Sequence, residues 1–323
     1  MSDARVVRIG TRGSRLALWQ ARHVAERLSA AWPAVQCQLV TLDTTGDRIK
    51  DVPLPRIGDR GLFTRDIEEA LRDRRIDLAV HSLKDLPTAD APGLTLGAVL
   101  ARADPRDALV SASGQPLAAL PPGARIGTSS LRRRAQLSLL RTDVEVVDIR
   151  GNVPTRIEKV TRGQYDGVLL ACAGLNRLDL ASRTAEIFDV QAMMPAPGQG
   201  AIAVQICTGD DTVASLVAAV DDTPTRLATT SERTVLAALE GGCQAPLGAN
   251  AVWQGDHLRL LAVVAAVHEP RVIRAEARSP VKGPLEAAAI GRRVADDLRR
   301  AGAGTILSAA REWVASVAAG DTA

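Results

Sequence analysis

Apolar residues fall along the first two-thirds of the chain in short unbroken runs rather than in strict alternation. RVVRIG, VQCQLVTL, IDLAVHS, ARIGTSS, VEVVDIRG, YDGVLLACAG and GAIAVQIC predict strands whose continuous apolar character suits parallel sheets covered on both faces. Between them, Leu16–Ala30, Phe63–Arg72, Leu131–Leu140 and Val153–Arg162 carry helical patterns, so the alternation predicts an α/β architecture. ARADPRDALV (Ala101–Val110) places charges around a proline between two apolar stretches and suits a crossing between two lobes. The last third changes style. A helix over Thr225–Leu239 is expected to stop at Gly241-Gly242, then ANAVWQGDHLRLLAVVAAV and RVIRAEARS read as strands with a Gly-Asp turn, and a final helix covers Pro284–Ala301. The expected domains are 1–100 with 201–218, then 106–194, and a smaller α+β domain over 222–323.

Hydrophobic residues make up 46% of the 323 and aromatics only 2%, so the core is built from Ala, Val and Leu. Net charge is +3, too small to argue for nucleic acid, and base-stacking surfaces lack their aromatics. Only four of the 40 basic residues are lysine, leaving 36 arginines, so position rather than content must carry any argument about charge. The N-terminus lacks the apolar stretch of a signal peptide, and no run approaches the ~18 apolar residues of a membrane span. Cys37, Cys172, Cys207 and Cys243 show no CxxC spacing and the histidines are scattered. A cytoplasmic protein with reduced thiols and no metal site is expected.

Five predicted strand ends carry the candidate chemistry. GTSSLRRRAQ opens a helix, where Thr128, Ser129 or Ser130 can cap and where free N–H groups favour an anion. Successive helical residues turn by ~100°, so three arginines cannot all serve one site. Arg132 and Arg133 are assigned to it and Arg134 to solvent. DIRGNVPTRIEK delivers Arg150 and Arg156, LLACAGLNRL delivers Arg177, and RIGTRGSRLALWQ delivers Arg12 and Ser14. Ligands of open α/β sheets bind at such ends, so the ligand should carry several negative groups. IDLAVHSLKDLPT adds His81, Ser82, Lys84 and one carboxylate, Asp85, suited either to stabilising a developing cation or to a structural salt bridge. Cys243, in the glycine loop of LEGGCQAPLG, is the candidate nucleophile or attachment point; the other cysteines lie in apolar runs and read as buried. The residues alone leave open a non-catalytic anion-binding protein of the same two-lobed fold.

Taken together, TRGSRLALWQ, GLFTRDIEEAL, DLAVHSLKDLP, DPRDALV, GTSSLRRRAQL, DIRGNVPTRI, AGLNRL, PAPGQGAIAVQ and SERTVLAALEGGCQAPLGA make a chain that resembles the porphobilinogen deaminase (hydroxymethylbilane synthase) family over nearly its whole length. The resemblance implies two periplasmic-binding-protein-like lobes with mainly parallel sheets, an active cleft between them, and a third domain. It implies stepwise head-to-tail condensation of four porphobilinogen molecules with release of ammonia. The cofactor would be a dipyrromethane primer held as a thioether by the cysteine matching Cys243. Asp85 matches the catalytic aspartate. Arg12, Arg132, Arg133, Arg150, Arg156 and Arg177 match carboxylate-binding arginines, and Phe63 the aromatic near the site. Ser14, Gln20, Ser82, Lys84, Thr128, Ser130 and Gln199 complete the implied contacts. Arg60 stands where the family often has lysine and is a possible loop contact, bidentate rather than a point charge. Arg134 falls where the family need not have a basic residue. A monomer with no nucleic-acid or membrane partner is expected.

Overall fold

The computed structural model describes residues 5–44, 64–240 and 245–319. Its contacts divide into two compact units. Among the described residues, the first comprises 5–44, 64–103 and 200–226; the second comprises 104–199, 227–240 and 245–319.

The first unit is built on β1 (Arg5–Arg12), α1 (Arg15–Ala31), β2 (Val35–Leu42), α2 (Arg65–Arg72), β3 (Leu78–Ser82), β4 (Leu94–Val99), β10 (Ile202–Cys207) and α6 (Asp211–Ala218). The sheet order is β2-β1-β3-β10-β4. Ser14 opens α1 by accepting from the Ala17 N–H, and Gln20, Ala21, Val24 and Leu28 then bury one stripe of the helix. Val7, Ile9, Val80, Val204 and Ile206 meet that stripe or its counterpart on α6 in the core.

The second unit holds β5 (Asp107–Ser111), β6 (Arg125–Gly127), α3 (Leu131–Leu140), β7 (Glu145–Val147), α4 (Val153–Thr161), β8 (Gly167–Ala171), α5 (Cys172–Arg177) and β9 (Glu186–Ile187), with sheet order β7-β6-β8-β5-β9. It also includes most of α7 (Thr223–Ala238) and the antiparallel sheet of β11 (Leu247–Gln254), β12 (His257–Ala265) and β13 (Val272–Pro280). Helices α8 (Pro284–Arg300) and α9 (Ala303–Ala319) follow. Leu131, Ala135 and Met194 pack with Val263, Ala265 and Ala310, so α3 shares a hydrophobic cluster with the three-stranded sheet.

Each five-stranded sheet is mixed. In the first, β1 pairs parallel with β2 and β3, but β10 lies antiparallel between β3 and β4. In the second, β6 pairs parallel with β7 and β8, while β5 lies antiparallel between β8 and β9. Strands β5 and β10 are buried along their whole length. Their apolar runs therefore look like those of parallel strands, because burial on both faces sets the composition and direction does not. Two further differences concern helices. Cys172 opens α5 instead of continuing a strand, and α9 follows the helix expected to be last, after a turn in which Gly302 takes φ +94°. Cys37 is half-buried, whereas Cys172 and Cys207 are buried. The expected stop at Gly241-Gly242 lies outside the described residues.

Candidate functional site

In the first unit the site residues are set by the ends of β1 and β3. These strands run parallel with Gly10 against Ala79, which brings the Arg12 end of β1 beside His81 and Ser82. Gln20 is buried on α1, and its Nε2 donates to Ser82 Oγ at 2.9 Å, tying helix to strand end. After β3 a single 3₁₀ turn, Leu83–Asp85, is pinned by buried Leu83 and Leu86 and by Leu83 N–H donating to Ala201 O at 3.0 Å. With those two leucines inward, Lys84 is half-buried and Asp85 is exposed. Burial pushes the His81 imidazole down to about 4, and the charge of Arg12 adds to the effect. His81 is thus neutral at physiological pH.

In the second unit β6 leads into α3. Ser130 caps the helix by accepting from the Arg133 N–H at 3.5 Å, and Thr128 Oγ1 accepts from Ser130 N–H at 3.2 Å. Arg132 and Arg133 do not project freely. They converge on Asp107, the first residue of β5, which is fully buried. Arg132 Nη1 lies 2.6 Å from Oδ2, and Arg133 Nη2 lies 2.7 Å from Oδ1. Gln199 Nε2 donates to the same Oδ1 at 2.9 Å and to Pro105 O at 2.6 Å. Burial alone would raise the Asp107 carboxyl, but the two guanidiniums hold it well below the usual carboxylate range. Burial likewise lowers Arg132.

Arg150 follows β7 and is half-buried; desolvation lowers it while Asp148 acts in the opposite sense. Asn152 caps α4 by accepting from the Thr155 N–H at 3.0 Å, and Arg156, in the first turn, donates from Nε back to Gly151 O at 2.7 Å. Arg177 ends the short helix α5 rather than a strand, and burial pushes it down to about 10. It remains a cation at neutral pH. Arg134 is not solvated as expected. Its Nη1 donates to Val146 O at 3.0 Å, its Nη2 reaches Asp148, and its guanidinium lies 5.8 Å from the Trp313 ring centroid. The ~100° step along α3 does turn it away from Asp107, but onto packed surface. Arg60, Phe63 and Cys243 lie outside the described residues.

Two acids escaped the sequence reading. Asp107 opens a wholly apolar stretch in DPRDALV, and an acid so placed needs a cationic partner. Glu232, fully buried on α7, accepts from Gly198 N–H and Ala251 N–H, both at 2.7 Å, and so holds the segment beside Gln199.

Residues 7–215 match the family model described as porphobilinogen deaminase, dipyromethane cofactor binding domain, and residues 226–300 match the porphobilinogen deaminase C-terminal domain. The chain belongs to the porphobilinogen deaminase family. The porphobilinogen deaminase of Moorella thermoacetica is 50% identical over 93% of this chain and 95% of its own. That of Syntrophotalea carbinolica is 47% identical over 94% and 95%, and that of Burkholderia thailandensis 46% over 93% and 92%. Solved structures it resembles include a periplasmic sulfonate-binding protein of Methylobacillus flagellatus, with TM-score 0.39, 15% identity and coverage of 72% of this chain and 68% of that one. A likeness at that level adds nothing to what the strand order establishes.

As a porphobilinogen deaminase, the chain is a transferase of tetrapyrrole synthesis, a hydroxymethylbilane synthase with porphobilinogen as substrate. Its larger matched segment is a dipyrromethane-binding domain. The donor set suits that group: pyrrole units bear acetate and propionate side chains, and the second unit carries buried or half-buried arginines after β7, at the end of α5 and at the start of α3. Among the described residues, no helix is long and apolar enough to cross a membrane.

Proposed function

We propose that Cys243 holds the dipyrromethane through a thioether and that Arg132, Arg150, Arg156 and Arg177 bind carboxylates of the primer and of the growing chain, with Arg133, Thr128, Ser130 and Gln199 completing their surroundings. When bound, the dipyrromethane supplies the end to which each new unit is joined. The observation that carries this reading is the burial of Arg132 and Arg177, with Arg150 half-buried, where a planar fork meeting a carboxylate contributes ~1.5–3 kcal/mol per charged hydrogen bond. Arg12, Ser14, Gln20, Ser82 and Lys84 orient the incoming porphobilinogen around Asp85. Loss of ammonia makes the substrate's aminomethyl carbon cationic, and neighbouring arginines disfavour that charge. Asp85 supplies the opposing negative charge and accepts pyrrole N–H bonds. It then helps carry away the proton released as the new carbon–carbon bond forms. Arg60 and Phe63 act as further contacts. The three domains at 1–100 with 201–218, 106–194 and 222–323 belong to the same proposal, as do a cytoplasmic location and a monomeric state.

Intact-protein mass spectrometry tests the attachment. Protein from cells able to make porphobilinogen should be heavier than its sequence by one dipyrromethane, and Cys243→Ser should lack the added mass. An unmodified and fully active parent protein would remove the thioether from the reading.

A further inference from the structure

The Asp107 cluster is unequal in charge. Two guanidiniums face one carboxylate, with side chains only 5%, 7% and 0% exposed for Arg132, Arg133 and Asp107. One positive charge is left over where solvation is poor. The donors are also unequally used. Arg133 gives Nε and Nη2 to Asp107 Oδ1, at 3.2 and 2.7 Å, and Nη1 to Leu169 O at 2.8 Å, so every nitrogen of its fork is engaged. Arg132 engages Nη1 alone, with Asp107 Oδ2 at 2.6 Å and Met194 O at 2.7 Å. Among the described residues, no hydrogen bond involves Arg132 Nε or Nη2, and neither is a buried atom lacking a partner. The Met194 carbonyl is itself fixed, because Gln136 Nε2 donates to it at 3.1 Å while Gln136 Oε1 accepts from Met194 N–H at 2.7 Å. Arg132 is therefore held at one end and leaves one edge of its fork unused.

We propose that Asp107 is a positioning residue that occupies Arg133 and aims Arg132, so that the pair recognises a single carboxylate of the primer, through Arg132 Nε and Nη2, rather than one carboxylate each. The proposal rests on the reading that this pair serves the dipyrromethane.

Charge arithmetic gives the test. Full-length variants made in cells unable to produce porphobilinogen are supplied with it, primer loading is followed by intact mass, and folding is followed by thermal melting. Arg132→Gln should slow loading by ~30-fold or more, the scale of a lost buried charged contact. Asp107→Asn raises the cluster to two positive charges and should also load poorly. Asp107→Asn with Arg133→Gln returns it to one and should recover ~tenfold of that loss, because the two sites are directly coupled. Asp107→Asn with Arg132→Gln has the same net charge and should recover nothing. Equal behaviour of the two double variants overturns the proposal. Parent-like loading by Arg132→Gln instead overturns the underlying assignment of the pair to the primer. Should Asp107→Asn fail to melt cooperatively, lysine variants with Asp107 intact decide the matter. Arg132→Lys should slow loading ~tenfold, since a point charge replaces a fork, and should slow it more than Arg133→Lys, whose larger effect should be a lower melting temperature; the reverse order overturns the proposal.

Discussion

Asp85 and Asp107 are both aspartates, and their surroundings give them different work. Asp107 is fully buried and its two oxygens meet Arg132, Arg133 and Gln199. Asp85 stands exposed on a turn whose leucines are locked into the core. A carboxylate in the second setting can reach a substrate that arrives and leaves. Asp85→Asn keeps the size and one acceptor oxygen but removes the charge. Porphobilinogen should still bind, because the arginines remain. Ring coupling should fall by ~100-fold or more, the scale seen when one oriented electrostatic group is lost. Asp85→Glu keeps the charge, displaced by a methylene, and should retain more activity than the amide. Single-turnover ammonia release from primed enzyme measures both. Near-normal release by the amide variant would reduce Asp85 to a surface carboxylate without a catalytic part.

At the scale of elements, the contact between α7 and α8 shows how closely the three-stranded sheet's helices are fitted. A Cβ at Gly291 on α8 would stand 2.5 Å from the Ser231 carbonyl and 2.6 Å from Thr234 Cβ. No rotamer change moves a backbone oxygen, so Gly291→Ala must separate the helices despite alanine's better helix propensity. The expected net cost is ~1–3 kcal/mol, seen as a melting temperature lower by at least ~2 °C. A variant as stable as the parent would mean that the helices can part freely. The same elements show what the sequence disclosed. Helix α3 could be read over Leu131–Leu140 because a hydroxyl cap precedes it and buried positions recur along it. The turn at Gly255-Asp256 was legible from its residue pair between two apolar runs. Strand β5 was hidden inside ARADPRDALV, where charges before Ala108 mask a short buried run, and the opposed direction of β5 and β10 leaves no trace in composition. Arg134 was misplaced for a related reason. Helical spacing gives the direction of a side chain, but what lies in that direction, here Trp313 from far along the chain, depends on tertiary packing.

Across the whole molecule, 40 lysines and arginines stand against 37 acidic residues, so acid leaves a strongly cationic chain that repels itself. Against that general decline, His81 should write a separate signature. Its folded value is pushed down to about 4 by burial and by Arg12, from an ordinary 6.5. Between those two values the unfolded chain binds a proton that the folded chain does not, so stability falls as pH drops from 6.5 towards 4. The full effect is on the order of 3 kcal/mol for such a displacement. Asp107 acts in a lower window. Its carboxyl is held far below the ordinary ~3.9, so its contribution is complete above that value and is lost only beneath it. His81→Gln removes the upper window and leaves the lower one and the general repulsion in place. Melting temperatures of parent and variant, recorded from pH 7.5 to pH 4.5 at fixed ionic strength, should therefore diverge in slope, with the glutamine variant losing less on acidification even if it starts lower. Parallel curves would mean that the His81 imidazole takes up its proton as readily in the folded chain as in the unfolded one, and would overturn this account of the end of β3.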